Sequence, residues 1–273
     1  MQTQVEKALA FRALHERDGA FIIPNPWDRG TARLLAHVGF EALATTSAGY
    51  AFSLGQGDFT IDRDAMLAHV AAIVAATELP VSADLERGYG DDPATVAETI
   101  RRAAATGAVG GSIEDATNRA DDPLYDQERA AERIRAAAEV AHALPFPFTL
   151  TARAENYLVG RPDLADTIKR LQAYQDAGAD VLYAPGLRTK DEIAAVVHSV
   201  DCPVNVVMGL HGMHLSLAEL AALGVKRVSV GSALARAALG AFLRAAREMR
   251  AHGTFHFAEE AVSYRDISSL FEG

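Results

Sequence analysis

Cysteine is almost missing from this chain. Of 273 residues only Cys202 carries a thiol, which excludes an intrachain disulfide and any multi-cysteine metal cluster. Basic runs are also missing. Lys and Arg total 26 against 36 Asp and Glu, and the net charge is −10. No nucleic-acid footprint and no grip on anionic lipid is therefore present. No apolar stretch reaches membrane-spanning length. The segment from Met1 to His15 is polar and mixed in charge, unlike a signal peptide. No Gly-x-Gly-x-x-Gly follows the first candidate strand, which weakens a dinucleotide-binding reading. A soluble cytoplasmic protein acting on a small molecule is the expectation. Apolar residues, at 49%, are abundant enough for the core of one large α/β domain spanning 1–273, with 254–273 as a helical extension.

Short β-type runs alternate with longer helical stretches. The candidate strands are Ala20–Pro24, Ala42–Ser47, Pro80–Glu86, Gly110–Glu114, Phe148–Arg153, Val181–Pro185, Val204–Met208 and Arg227–Gly231. Each is followed by a stretch with apolar residues at helical spacing, as in Asp126–Ala143, where Ala130, Ile134, Ala137 and Ala141 share a face. Pro93 and Pro162 mark helix starts, and Gly107, Gly178 and Gly224 suit left-handed helix caps. Strands apolar on both faces, alternating with helices eight times over, predict a parallel (β/α)8 TIM-type barrel, with a doubly wound open sheet as the alternative. Phe257–Phe271 reads as one further amphipathic helix that needs something to pack on, a neighbouring subunit being the candidate.

Barrel sites form at the C-terminal strand ends, and the charged residues cluster there. The third strand runs into Asp84 and Glu86, which point the same way if the strand continues. Two converging carboxylates repel each other unless a cation or a proton lies between them, and a hard divalent metal is the usual solution. The fourth strand ends in Glu114 and Asp115, the fifth in Arg153 and Glu155, and the seventh contains Asn205. The second ends in Ser47-Ala48-Gly49, whose small side chains leave backbone N–H groups open to an anion. A cation site beside an anion site suits a metal-chelated 2-oxo acid.

These strand ends, with the early Pro24-Asn25-Pro26-Trp27-Asp28 segment, resemble the isocitrate lyase/phosphoenolpyruvate mutase superfamily over nearly the whole chain. The resemblance implies a Mg²⁺ (or Mn²⁺) site, an enolate-forming reaction and a homotetramer, or at least a homodimer, that exchanges the C-terminal helix between subunits. It makes Asp84 the direct metal ligand, with Glu86, Glu114 and Asp58 beside it. Ser47, Ala48, Gly49 and Tyr50 become the carboxylate turn, Arg153 the substrate arginine and Asn205 a further substrate contact. Arg153, Asp58 and Glu114 carry the catalytic expectation. The departures are equally informative. The loop after the fourth strand reads Asp115-Ala116-Thr117-Asn118-Arg119-Ala120-Asp121, without the lyases' cysteine motif. The sixth strand ends Tyr183-Ala184-Pro185-Gly186 where those lyases carry a glutamate, and only Asn118 and Arg119 approach the mutase pattern.

The expected function is a Mg²⁺-dependent carbon–carbon lyase or decarboxylase acting on an oxaloacetate-like or methylisocitrate-like 2-oxo or 2-hydroxy acid. A phosphonopyruvate-type P–C bond enzyme and a non-catalytic 2-oxo acid binder are the alternatives. Cleavage of the larger acid needs a proton donor, through water or Tyr50. Asp115 is expected to cap the next loop, Trp27 to pack at the barrel mouth and Cys202 to be structural. His211 and His214 are read as loop residues. Gly231-Ser232-Ala233 is read as a phosphate cradle or a close helix–strand contact.

Overall fold

A computed structural model describes residues 2–210 and 212–272. Eight parallel strands form one sheet: β1 (Phe21–Ile23), β2 (Leu43–Ala44), β3 (Val81–Asp84), β4 (Gly110–Glu114), β5 (Thr149–Arg153), β6 (Val181–Tyr183), β7 (Val204–Val207) and β8 (Arg227–Ser229). Their order is β1-β8-β7-β6-β5-β4-β3-β2, so the first strand pairs with the last. The barrel is nearly closed. At the seam, Ala44 N–H donates to Pro24 O (3.1 Å) and Asn25 Nδ2 donates to Thr45 O (3.0 Å). The barrel expectation holds, and the open-sheet alternative falls.

Helices lie between the strands: α2 (Arg29–Val38), α3 (Ser47–Ser53) and α4 (Arg63–Val74), then α5 (Pro93–Ala105), α6 (Gln127–His142), α7 (Leu164–Asp176), α8 (Lys190–His198), α9 (Leu217–Ala222) and α10 (Ala233–His252). Pro93 occupies the first turn of α5 as expected, but Pro162 lies ahead of α7, which Asp163 caps by accepting from Asp166 N–H. Gly107, Gly178 and Gly224 take φ of 95°, 100° and 87°, the left-handed conformation in which a Cβ is penalised. The main core fills the space between sheet and helices, with Ile100, Ile113, Leu150 and Tyr174 among its fully buried side chains.

Two regions differ from expectation. The polar N-terminus folds as α1 (Gln4–Glu16), opened by a reciprocal capping box between Thr3 and Glu6. It closes the base of the barrel. Phe11 and Phe21 meet the His15 ring edge-on at 4.8 and 5.0 Å, and a Cβ on Gly110 would stand 3.0 Å from the Phe11 ring. The tail is not a single helix over Phe257–Phe271. A 3-10 turn (His256–Glu259) and α11 (Tyr264–Ser269) replace it. Glu248 of α10 draws the chain back by accepting from Thr254 Oγ1 and the N–H groups of His256 and Phe257, and Ser263 caps α11 afresh. Tyr264 is therefore 88% exposed, while Phe271 packs under the Arg33 guanidinium, 5.4 Å from its ring.

Candidate active site

The strand register assembles the charged cluster. Glu114 is opposite Arg153 at the ends of β4 and β5, and Asp84, which is opposite Ser112 two residues before the end of β4, joins them at the C-terminal mouth through Arg153. Arg153 binds three carboxylates: Nη1 to Asp84 Oδ1 (3.1 Å), Nη2 to Glu114 Oε2 (3.1 Å) and Nε to Glu155 Oε1 (2.9 Å). Its Cζ lies 5.2 Å from the Tyr183 ring centroid. Burial opposes the guanidinium charge, yet Glu155, Glu114 and Asp84 outweigh it and raise the arginine's pKa well above its ordinary value. Burial raises Glu114 and Glu155 in turn, with Arg153 opposing.

Asp84 is fixed from its other side, where Oδ2 accepts from both the N–H (3.0 Å) and the hydroxyl (2.9 Å) of Ser47. The Ser47-Ala48-Gly49 turn is thus the first turn of α3. Gly49 N–H donates to the Thr46 cap, and a Cβ there would meet Thr46 at 2.6 Å and Trp27 at 3.1 Å, which places Trp27 against the mouth as expected. Ser47 and Ala48 line the central cavity, of about 300 Å³, together with Asp58, Asp84, Glu114 and Arg153. Asn205 lines it as well, from β7. Gly49 and Tyr50 are not brought into it. Tyr50 stacks on His69 instead, with ring centroids 3.8 Å apart and planes within 8°.

Glu86 also departs from expectation. The strand ends at Asp84, and Glu86 takes φ of 49°, so the two-residue alternation breaks and its side chain turns into an adjoining recess with Phe59, Tyr89 and Asn118. There burial, Asp84 and Asp58 together push its carboxyl up to about 8. Asp58 is raised by desolvation and then by Asp84. Phe59, Tyr89 and Asn118, like Glu86, have positive φ, so four strained non-glycine residues border one recess. Arg133 holds this loop: Nη2 donates to Arg87 O and Gly90 O, and Nη1 to Glu114 O (3.2 Å).

Asp115 does not cap the next loop. It is buried behind the site, where Oδ1 accepts from Glu155 N–H (2.8 Å) and Oδ2 from Tyr174 OH (2.5 Å) and Arg170 Nη1 (3.1 Å). Arg119 turns away from the cavity to Asp91 and Asp122, while Asn118 lines it. The strand-eight turn is no open cradle, because the N–H groups of Val230 and Gly231 both donate to Asn25 Oδ1 (2.9 Å each). His214 is exposed, and His211 lies outside the described residues. Cys202 sits at the base of the barrel, its Sγ 3.3 Å from Ala179 O. Sequence reasoning missed Tyr183, Ser229 and Arg227 as cavity residues. A charged residue within an otherwise apolar strand was the available signal for Arg227.

The donor set fits a hard divalent ion. Glu86 Oε1 and Glu114 Oε1 are buried without any hydrogen-bond partner, and Asp58 and Asp84 stand nearby with acceptor oxygens. No three Asp, Glu, His or Cys side chains among the described residues converge on one point, so an ion would take Asp84 directly and reach the other acids through water, the arrangement Mg²⁺ favours.

Comparison with known proteins agrees with this geometry. The family model for phosphoenolpyruvate phosphomutase matches residues 11–250. The crystal structure of a candidate lyase/mutase from Burkholderia cenocepacia J2315 is 72% identical, covers 99% of this chain and 97% of its own, and superposes with a TM-score of 0.97. Oxaloacetate decarboxylase of Pseudomonas aeruginosa strain LESB58 is 30% identical over 88% of this chain and 84% of its own. Phosphonopyruvate hydrolase, solved with oxalate and Mg²⁺, is 26% identical, with a TM-score of 0.86 over 99% of this chain and 95% of its own. This chain belongs to the phosphoenolpyruvate phosphomutase family and is an enzyme of the isocitrate lyase/phosphoenolpyruvate mutase superfamily of lyases and mutases.

Proposed function

We propose that the protein is a Mg²⁺-dependent decarboxylase or carbon–carbon lyase of a small 2-oxo acid of the oxaloacetate type. The observation that carries this reading is the convergence of Asp84, Glu114 and Arg153 in one cavity whose lining among the described residues contains no cysteine, histidine or lysine. Loss of CO₂ needs no acid on the leaving group, whereas cleavage of a larger hydroxy acid or P–C chemistry calls for loop residues that this chain lacks. Tyr50, held against His69, does not replace them. Bound beside Asp84, the divalent ion supplies Lewis-acid stabilisation of developing enolate charge. The chain's own part is positional. Ser47 holds Asp84, Arg153 keeps one N–H on each Nη for a substrate carboxylate beside its three ion pairs, and Asp115 fixes the β5 end that carries Glu155 and Arg153.

Assay of a panel of 2-oxo acids with and without Mg²⁺ tests the reading. Steady Mg²⁺-dependent turnover of a four-carbon acid is expected, and Asp84→Ala should abolish both turnover and tight Mg²⁺ binding by calorimetry while leaving the fold intact. Binding without turnover would convert the protein into a sensor. Self-association accompanies this reading. In α10 only Ala235 is buried, and Phe242, Leu243 and Met249 are exposed. An apolar face of this kind in water is an association surface. Phe242→Asp should lower the assembly state seen by light scattering, and a monomer in both the wild type and this variant would refute that.

A further inference from the structure

Arg227 stands apart from the other buried charges of the barrel. It opens β8, is 5% exposed, and lines the same cavity as Arg153. Its Nε donates to Asn205 Oδ1 (2.9 Å), its Nη2 donates to Thr151 Oγ1 (2.9 Å), and its Nη1 lies 3.4 Å from His15 Nε2. All three partners are uncharged, because burial and the Arg227 charge itself hold the His15 ring neutral, with its pKa lowered to about 3. Four carboxylates of the site are taken by other arginines, Asp84, Glu114 and Glu155 by Arg153 and Asp115 by Arg170, and Glu86 lies in the adjoining recess. No ion pair among the described residues includes Arg227. A buried cation without a counter-charge is unfavourable, and a ligand that brings one relieves it.

We propose that Arg227 is a second anion-binding point at the floor of the cavity, which holds the distal carboxylate of a four-carbon dicarboxylate whose 2-oxo end lies at Arg153. This assignment rests on the decarboxylase reading and names its substrate class. Three of the five guanidinium N–H groups face Asn205, Thr151 and His15, which leaves one on each Nη for a carboxylate. Thr151, the partner of Nη2, is two residues before Arg153 on β5, so the floor lies roughly 6–7 Å below the mouth at ~3.3 Å per residue. A two-carbon diacid fills only the upper position, and a four-carbon diacid bridges both. Asn205 supports the same end: Nδ2 uses one hydrogen on Ser229 Oγ (3.0 Å) and keeps a second.

Calorimetry in the presence of Mg²⁺, with oxalate, lactate and malate as probes, tests this. The wild type should bind malate at least tenfold more tightly than lactate, which has a methyl group in place of the distal carboxylate. Arg227→Gln should weaken malate at least tenfold and leave oxalate within twofold. Arg227→Lys, which keeps the charge and most of the volume, should weaken malate about threefold and spare oxalate. Equal losses for oxalate and malate would reduce Arg227 to a support for Asn205 and overturn the proposal. So would equal affinities for malate and lactate in the wild type, a result that needs no variant to fold. Arg227-dependent malate binding in a protein that turns over no 2-oxo acid would uphold the floor site and defeat the decarboxylase reading alone.

Discussion

Arg153 and Arg227 face one cavity in opposite company. The first grips three carboxylates at the mouth, and the second touches only an amide, a hydroxyl and a neutral imidazole at the floor. The same side chain therefore serves two purposes. At the mouth three of its N–H groups hold acids together, and the surrounding backbone is strained at Phe59, Glu86, Tyr89 and Asn118. At the base the packing is tight and aromatic, with Phe11, His15 and Phe21 edge to face. Reactive geometry is concentrated at one end of the barrel, and the other end keeps it in place.

The sharpest way to break this contrast is to remove the mouth arginine. Arg153→Ala leaves Asp84, Glu114 and Glu155 facing one another, and loss of one partner from a buried ion pair is worth roughly 3–5 kcal/mol. Urea unfolding at neutral pH should show a loss of that order, and turnover should fall at least about a thousandfold, ~4 kcal/mol of barrier. Unchanged stability would mean that the acids do not depend on Arg153.

A smaller effect is expected from acid on two buried histidines, His15 at the base and His69 under the Tyr50 ring. His15 and His69 are buried with pKa values lowered to about 3 and about 4, while the unfolded chain protonates near 6.5. Above pH 6.5 neither form takes up the proton and nothing changes. Below it the unfolded state gains protons that the folded state refuses, so stability falls as pH drops from 6.5 towards 4. Each histidine contributes up to roughly 2 kcal/mol by pH 5 at ~1.36 kcal/mol per pH unit. Denaturation curves at pH 7 and pH 5 should show the decline, and His15→Gln should flatten it. A decline of equal slope in that variant would remove His15 from the account.

The smallest effect belongs to Cys202→Ser. The thiol is at the base, against Ala179 O and away from the cavity. Turnover within about twofold of wild type is expected, and a loss beyond about a hundredfold, ~2.7 kcal/mol, would place chemistry at the wrong end of the barrel.

The sequence made the barrel legible because its strands are apolar on both faces and end abruptly in acids and glycines. Asp84, Glu114 and Arg153 were legible for the same reason, since parallel strands deliver their C-terminal residues to one end of the barrel. The turn of Glu86 into the adjoining recess was not legible, because a left-handed φ is not encoded in an alternation pattern. The stack of Tyr50 on His69 was not legible, because a stacking partner on α4 is a tertiary fact. The first helix is polar and mixed in charge, although Thr3 and Glu6 carried its capping signal. Arg227 acquires meaning only when β8 returns beside β7 and β1 and brings Asn205 and His15 to it from distant parts of the chain.

Closure of the barrel depends unusually on Asn25. One main-chain bond links Ala44 to Pro24, and the Asn25 amide reaches Thr45 on one side and the Val230 and Gly231 amides on the other. A single side chain therefore latches the loops after β1, β2 and β8. In native-state hydrogen exchange the seam amides of Ala44, Val230 and Gly231 should open before the inner ladder of β3, β4 and β5, which makes the junction of the first and second strands the place where the cylinder breathes.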